Sequence, residues 1–230
     1  RSGANMSDLD NFYTTVLYPF QDGILTILKK LSTPFFLTGG TALARGYLNH
    51  RYSDDLDFFV NDDPHFRDYV RIIEESLMSE SLGNAWRLDQ EGIIRSERFI
   101  SFSLVQDEIV LKMDFVNDIA YRVGVPFEHP VLGTIDTIEN ILTNKIGALY
   151  RYAEKDVADI WAIWKKYPID WQEVFTQATR KDAGIDEVSA AEIIASFPEQ
   201  RFDVIRWSGT VDKREFFEDL KRISYEILKI

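Results

Sequence analysis

Apolar residues recur along this chain with two different periods, and the change of period divides it. Over residues 9–31, Phe12, Val16, Phe20, Ile24, Ile27 and Leu31 fall close to helical spacing. That pattern predicts a helix, with Pro19 placed to bend or split it. Residues 35–37 then read as a short strand, Gly39 with Gly40 as a turn, 42–49 as a short helix and 55–60 as a strand. Asp62, Asp63 and Pro64 supply the acidic cap and first-turn proline of a helix reaching about Met78. Segments 86–89, 99–105 and 109–116 read as strands, and Asp107 with Glu108 predicts a hairpin turn between the last two. After Pro130 the character changes, and residues 135–230 read as almost wholly helical, with breaks at Pro168 and Gly184. Trp161, Trp164 and Phe175 read as core between these helices rather than as a platform for stacking bases. The pattern gives a sheet-containing amino-terminal half and a helical carboxy-terminal half, joined near residues 123–134, with no internal repeat. Arg1 to Asn5, ahead of Met6, read as a remnant of cloning and take no part in the fold argument.

At 230 residues the chain suffices for one large domain or two small ones, and 45% hydrophobic residues supply a sizeable core. The absence of cysteine excludes disulfides and thiolate chemistry and fits an intracellular protein. No apolar run approaches the roughly 20 residues needed to cross a bilayer, and no signal peptide is visible. The expectation is a cytoplasmic protein with no membrane partner. A net charge of −12 excludes a general nucleic-acid binder. A nucleic-acid substrate would need a local basic patch: Lys29 with Lys30, Arg45 with Arg51, or Lys165 with Lys166. Each of these alone reads rather as solvated surface charge.

Candidate chemistry concentrates in residues 35–60, FFLTGGTALARGYLNHRYSDDLDFFV. On a strand, Asp55 and Asp57 share one face while Leu56 and Phe58 point into a core. Two neighbouring carboxylates repel each other unless a divalent cation lies between them. Asp54 adjoins them but faces elsewhere and takes a lesser role. Gly39 and Gly40 let the backbone approach an anion, and Thr41 caps the helix that follows. Turn and carboxylates together suggest metal-dependent phosphoryl or nucleotidyl transfer. Two-metal chemistry needs a further carboxylate from an adjacent strand, and Asp114, set between Met113 and Phe115, is the candidate. The competing account of Asp114 is an edge strand whose solvated face also carries Lys112 and Val116. Asp118 reads as a turn residue.

The second informative run is residues 136–163, DTIENILTNKIGALYRYAEKDVADIWAI. Ile138, Ile141, Leu142, Lys145 and Leu149 share a helical stripe, an uncommon place for a lysine. If the helix continued unbroken, Asp156 and Asp159 would fall on the same stripe. Lys145 could hold a triphosphate or offset leaving-group charge, with Asp156 and Asp159 orienting it or Arg151. The alternative is a structural ion-pair network. His50, His65 and His129 show no metal spacing, although His50 lies close enough to the first motif to contact a substrate.

The strings GGTAL, RYSDDLDFF, LKMDFV and NKIGALYRYAEKDVADIWAI, in this order and spacing over about residues 33–165, resemble the AbiEii/AbiGii toxin nucleotidyltransferases. The resemblance implies an α+β fold of the DNA polymerase β type. A mixed sheet flanked by helices forms the catalytic domain (6–130), followed by a helical carboxy-terminal domain (131–230). By resemblance, Asp55 and Asp57 hold Mg²⁺ together with Asp114, which also activates the acceptor hydroxyl. Gly39, Gly40 and Thr41 hold phosphates, Arg51 and Ser53 shape the nucleotide site, Lys145 contacts the nucleotide, and Arg151, Asp156 and Asp159 support it. The implied reaction moves a nucleoside monophosphate from a nucleoside triphosphate such as ATP to an acceptor hydroxyl. Some family members are toxins of toxin–antitoxin pairs acting on transfer RNA, so tRNA or another RNA and an antitoxin protein are the implied partners. Two rivals stand beside this: transfer to a small molecule or a protein, and a catalytically silent nucleotide-binding or interaction module. Retention of Asp55, Asp57 and Asp114 argues against silence.

Overall fold

A computed structural model describes residues 6–81 and 86–229, so the expectation for Arg1 to Asn5 lies outside the described residues. The chain divides into two compact units. One comprises Arg1–Ala42, Ser53–Ala120 and Pro126–Asp136, the other Leu43–Tyr52, Tyr121–Val125 and Thr137–Ile230. Segments 43–52 and 121–125 group with the helical residues.

The first unit is built on a mixed seven-stranded sheet. Its strands are β1 (Phe36–Thr38), β2 (Leu56–Asn61), β3 (Trp86–Arg95), β4 (Phe99–Gln106), β5 (Ile109–Asp118), β6 (Phe127–His129) and β7 (Gly133–Ile135). Their order is β3-β4-β5-β2-β1-β7-β6. The β4–β5 hairpin forms as expected, with Asp107 in the left-handed region at φ 53°. β2 lies antiparallel to β1 and parallel to β5. Apolar alternation sets which face is buried: Leu56, Phe58, Val60, Leu111, Met113 and Phe115 are all enclosed. Phe58, Phe102 and Phe115 stack at ring separations of 5.2–5.3 Å beneath the sheet. The short strands β6 and β7 were not expected from the sequence.

The amino-terminal helix runs as α1 (Met6–Phe12), a π turn over Tyr13–Leu17 and α2 (Tyr18–Leu28). Pro19 does not break it. Proline stands in the first turn of α2, where its missing N–H matters least, and the Tyr18 N–H reaches back to the Tyr13 carbonyl. Helices α3 (Gly39–Leu43) and α4 (Phe66–Ser81) follow β1 and β2.

The second unit is helical: α5 (Ile138–Ala148), α6 (Glu154–Lys166), α7 (Trp171–Lys181), α8 (Glu187–Ala195), α9 (Glu199–Phe202) and α10 (Lys213–Ile227). Side-chain oxygens of Thr137, Asp170, Asp186 and Asp212 cap α5, α7, α8 and α10. Trp161, Phe202, Trp207 and Phe216 interlock edge to face in the core. The indole of Trp161 donates to Asp219 at 3.1 Å, and those of Trp164 and Trp171 donate to Glu226 at 2.9 and 3.1 Å. These tryptophans are occupied as structure.

Candidate active site

The parallel pairing of β2 with β5 aligns Asp57 with Asp114, so the two carboxylates project from the same face of neighbouring strands. Asp55 directly precedes β2, one alternation earlier. β5 lies inside the sheet between β4 and β2, which removes the edge-strand account of Asp114. Register extends the polar row on both sides: Ser101 of β4 pairs with Asp114, and Thr38 of β1 pairs with Asp57. The Ser101 hydroxyl donates to Asp114 Oδ1 at 2.6 Å, and Lys112 Nζ donates to Asp114 Oδ2 at 2.5 Å. Burial opposes the charge on Lys112. Its bond to Asp114 and the negative charges of Asp114, Asp55 and Asp57 outweigh that effect and raise its pKa above the usual lysine value. All three carboxylates thus act on one ammonium.

Gly39 closes onto this row. Its φ is +65°, and a Cβ there would collide with Asp57 Oδ2. Both the turn and the nearness of the carboxylate require glycine at this position. Gly39 and Gly40 form the first turn of α3. Thr41 is fully buried, and its hydroxyl donates to the Asp55 carbonyl, which ties the turn to the start of β2. Gln21 of α2 donates to the carbonyls of Ser53 and Asp54 at 3.3 and 2.9 Å, and the Tyr13 hydroxyl donates to Asp54 Oδ1. Asp54 therefore anchors the loop. Ser53 is itself 8% exposed. Beyond Thr38 the row ends on Asp136, fully buried, which accepts from the Thr38 hydroxyl at 2.7 Å.

In the second unit the helix does not continue unbroken: after Ala148 it gives way to a 3₁₀ turn, Leu149–Arg151, and Tyr152 takes φ 55° before α6 begins. Packing of α5 on α6 still brings Lys145 to Asp156 and Asp159, at 2.7 Å from each. Asp159 also accepts from Arg51 Nε and Nη2 at 2.6 and 2.8 Å and pairs with His50 Nε2 at 2.7 Å. Burial alone would raise the Asp159 pKa. Arg51, Lys145 and the hydrogen bonds from His50 and Arg51 hold it well below the usual carboxylate range. Burial likewise opposes the Lys145 charge, but Asp159 and Asp156 raise its pKa. Burial lowers the His50 pKa despite the opposing pull of Asp159. Arg151, with a side chain 76% exposed, reaches Asp156 only at 4.0 Å.

Thr38, Ser101 and Lys112 join the carboxylate row without having been singled out from the sequence as site residues. Lys112 had a signal, since it stands two positions before Asp114 on one strand face. Ser101 and Thr38 had none, because only the strand register brings them there. Of the basic candidates, Lys29 donates to the carbonyls of Pro130 and Val131, Lys165 to Glu215 and Asp219, and Lys166 to the Tyr47 carbonyl. Among the described residues, no three His, Cys, Asp or Glu side chains form a ready-made metal cage. A pair such as Asp57 and Asp114 suits Mg²⁺, which takes one or two carboxylates and fills its other positions with water and phosphate oxygens.

A family model described as nucleotidyl transferase AbiEii toxin, type IV TA system, matches residues 24–226. Two solved structures from Helicobacter pylori share the fold. One, of a candidate nucleotidyltransferase, superposes with TM-score 0.63 at 18% identity, covering 92% of this chain and 94% of that one. The other, of JHP933, gives 0.54 at 19% identity, covering 93% and 90%. No curated protein matches the sequence.

Proposed function

Because this chain belongs to the AbiEii nucleotidyltransferase toxin family, we propose that it carries a nucleoside monophosphate from a nucleoside triphosphate, ATP among them, to an acceptor hydroxyl in a Mg²⁺-dependent reaction. The observation that carries the reading is the alignment of Asp57 with Asp114 on one sheet face, with Gly39 closed against Asp57. In this reaction the acceptor oxygen forms a bond to the α-phosphorus, the bond to the bridging oxygen breaks, and pyrophosphate leaves. Asp114 accepts the hydroxyl proton, held in orientation by Ser101. Asp55 and Asp57 would hold Mg²⁺ with Asp114, and the ion when bound would offset charge on the phosphates. The turn at Gly39, Gly40 and Thr41 is assigned to the phosphates, and Arg51 and Ser53 to shaping the nucleotide site. Lys145 either meets the nucleotide or serves as the structural partner of Asp156 and Asp159. The two 2.7 Å contacts favour the structural role.

As a toxin of a type IV toxin–antitoxin family the chain implies an antitoxin partner. Transfer RNA is the acceptor assigned here, in the cytoplasm; among the described residues no helix is long and apolar enough to cross a membrane. The test incubates the protein and Asp57→Asn with each α-labelled triphosphate and total RNA, protein extract or small polyols. Label should enter tRNA with the native protein only. Label in polyol or protein moves the acceptor to those classes. No transfer under any condition, with the protein folded, overturns the catalytic reading.

A further inference from the structure

We propose that Lys112 is a built-in counter-ion of the Asp57–Asp114 pair which a divalent cation must displace, so that this lysine sets the metal affinity of the site. The inference rests on the metal-dependent reading above. Lys112 and Asp114 share one face of β5, two residues apart, and the ammonium sits 2.5 Å from Asp114 Oδ2. The other Asp114 oxygen is taken by Ser101. Asp55 and Asp57 attract the same ammonium. The lysine thus stands on the oxygen that an ion shared between Asp57 and Asp114 would need. Its side chain is 45% exposed, so it has room to swing away from the strand when a more highly charged cation arrives. The lysine keeps the row from repelling itself apart while no ion is bound.

Lys112→Gln removes the competitor and keeps much of the stem. Mn²⁺ binding to the whole chain, without nucleotide, is measured by calorimetry for wild type, Lys112→Gln, Lys112→Met and Lys112→Arg, with circular dichroism to check the fold. The expected result is about tenfold tighter Mn²⁺ binding in the neutral variants and little change in Lys112→Arg, a scale set by one screened charge beside a divalent ion. A larger rise in melting temperature on adding Mn²⁺ should accompany it. Equal or weaker binding in a folded neutral variant, with wild type binding normally, overturns the counter-ion role and leaves the carboxylate site standing. Absence of Mn²⁺ binding in wild type and every variant overturns the metal-dependent reading along with it.

Discussion

Lys145→Met removes one charge from the most enclosed ionic cluster in the chain while leaving an unbranched apolar stem in its place. Asp159 would keep Arg51 at 2.6 and 2.8 Å and His50 at 2.7 Å. Asp156 would keep only Arg151, 4.0 Å away on an exposed side chain. The cost therefore falls on Asp156, which is 2% exposed. Stranding one member of a buried pair costs about 3–5 kcal/mol. At roughly 2–4 °C per kcal/mol for a protein of this size, melting should fall by roughly 6–20 °C. Tryptophan emission suits the measurement, since Trp161, Trp164, Trp171 and Trp207 all belong to the helical unit. Lys145→Met combined with Asp156→Asn should recover most of the loss at pH 7. Melting within about 2 °C of wild type, or no recovery in the double variant, would refute the stranded-carboxylate argument. The same variant titrated with triphosphate decides the other role: normal affinity removes Lys145 from the nucleotide site.

Asp57→Asn should abolish transfer while leaving melting unchanged or slightly raised, because it relieves repulsion against Asp114; near-native turnover would show that the pair is not the metal site. Gly39→Ala should destabilise by about 1–2 kcal/mol from its left-handed φ. By displacing Asp57 it should also lower transfer by about a hundredfold, read by urea melts and the labelling assay together. His50 has a folded-state pKa below its unfolded value, so the unfolded chain gains the proton first and stability should drop as pH falls below about 6.5. His50→Gln should flatten that slope between pH 6.5 and 5 in parallel melts.

The carboxylate strand was legible because Asp55 and Asp57 interrupt a run whose other positions are apolar, and alternation alone assigns their face. Asp114 was legible by the same logic. Its alignment with Asp57 was not, since register between strands distant in sequence leaves no trace in either one. The strands β6 and β7 are three residues each, too short to show a period. The break after Ala148 was hidden because no glycine or proline marks it; Tyr152 takes the left-handed conformation instead. The spacing from Lys145 to Asp156 and Asp159 therefore suggested one long stripe, whereas packing between two helices makes the contact. Segments 43–52 and 121–125 group with the helical residues for a related reason: short stretches follow whichever unit holds their partners, as Arg51 follows Asp159.

The order in which strands enter the sheet has a consequence during synthesis. β1, β2, β4 and β5, which carry Thr38, Asp57, Ser101, Lys112 and Asp114, are all complete once residue 118 has been made. The ribosome needs roughly 2–8 s more to reach Asp159 at about 5–20 residues per second. Over that interval Asp114 has its own lysine within the same segment. Arg51 and His50 must wait for Asp159. The emerging chain thus holds its sheet-borne ion pair before the helical cluster can close.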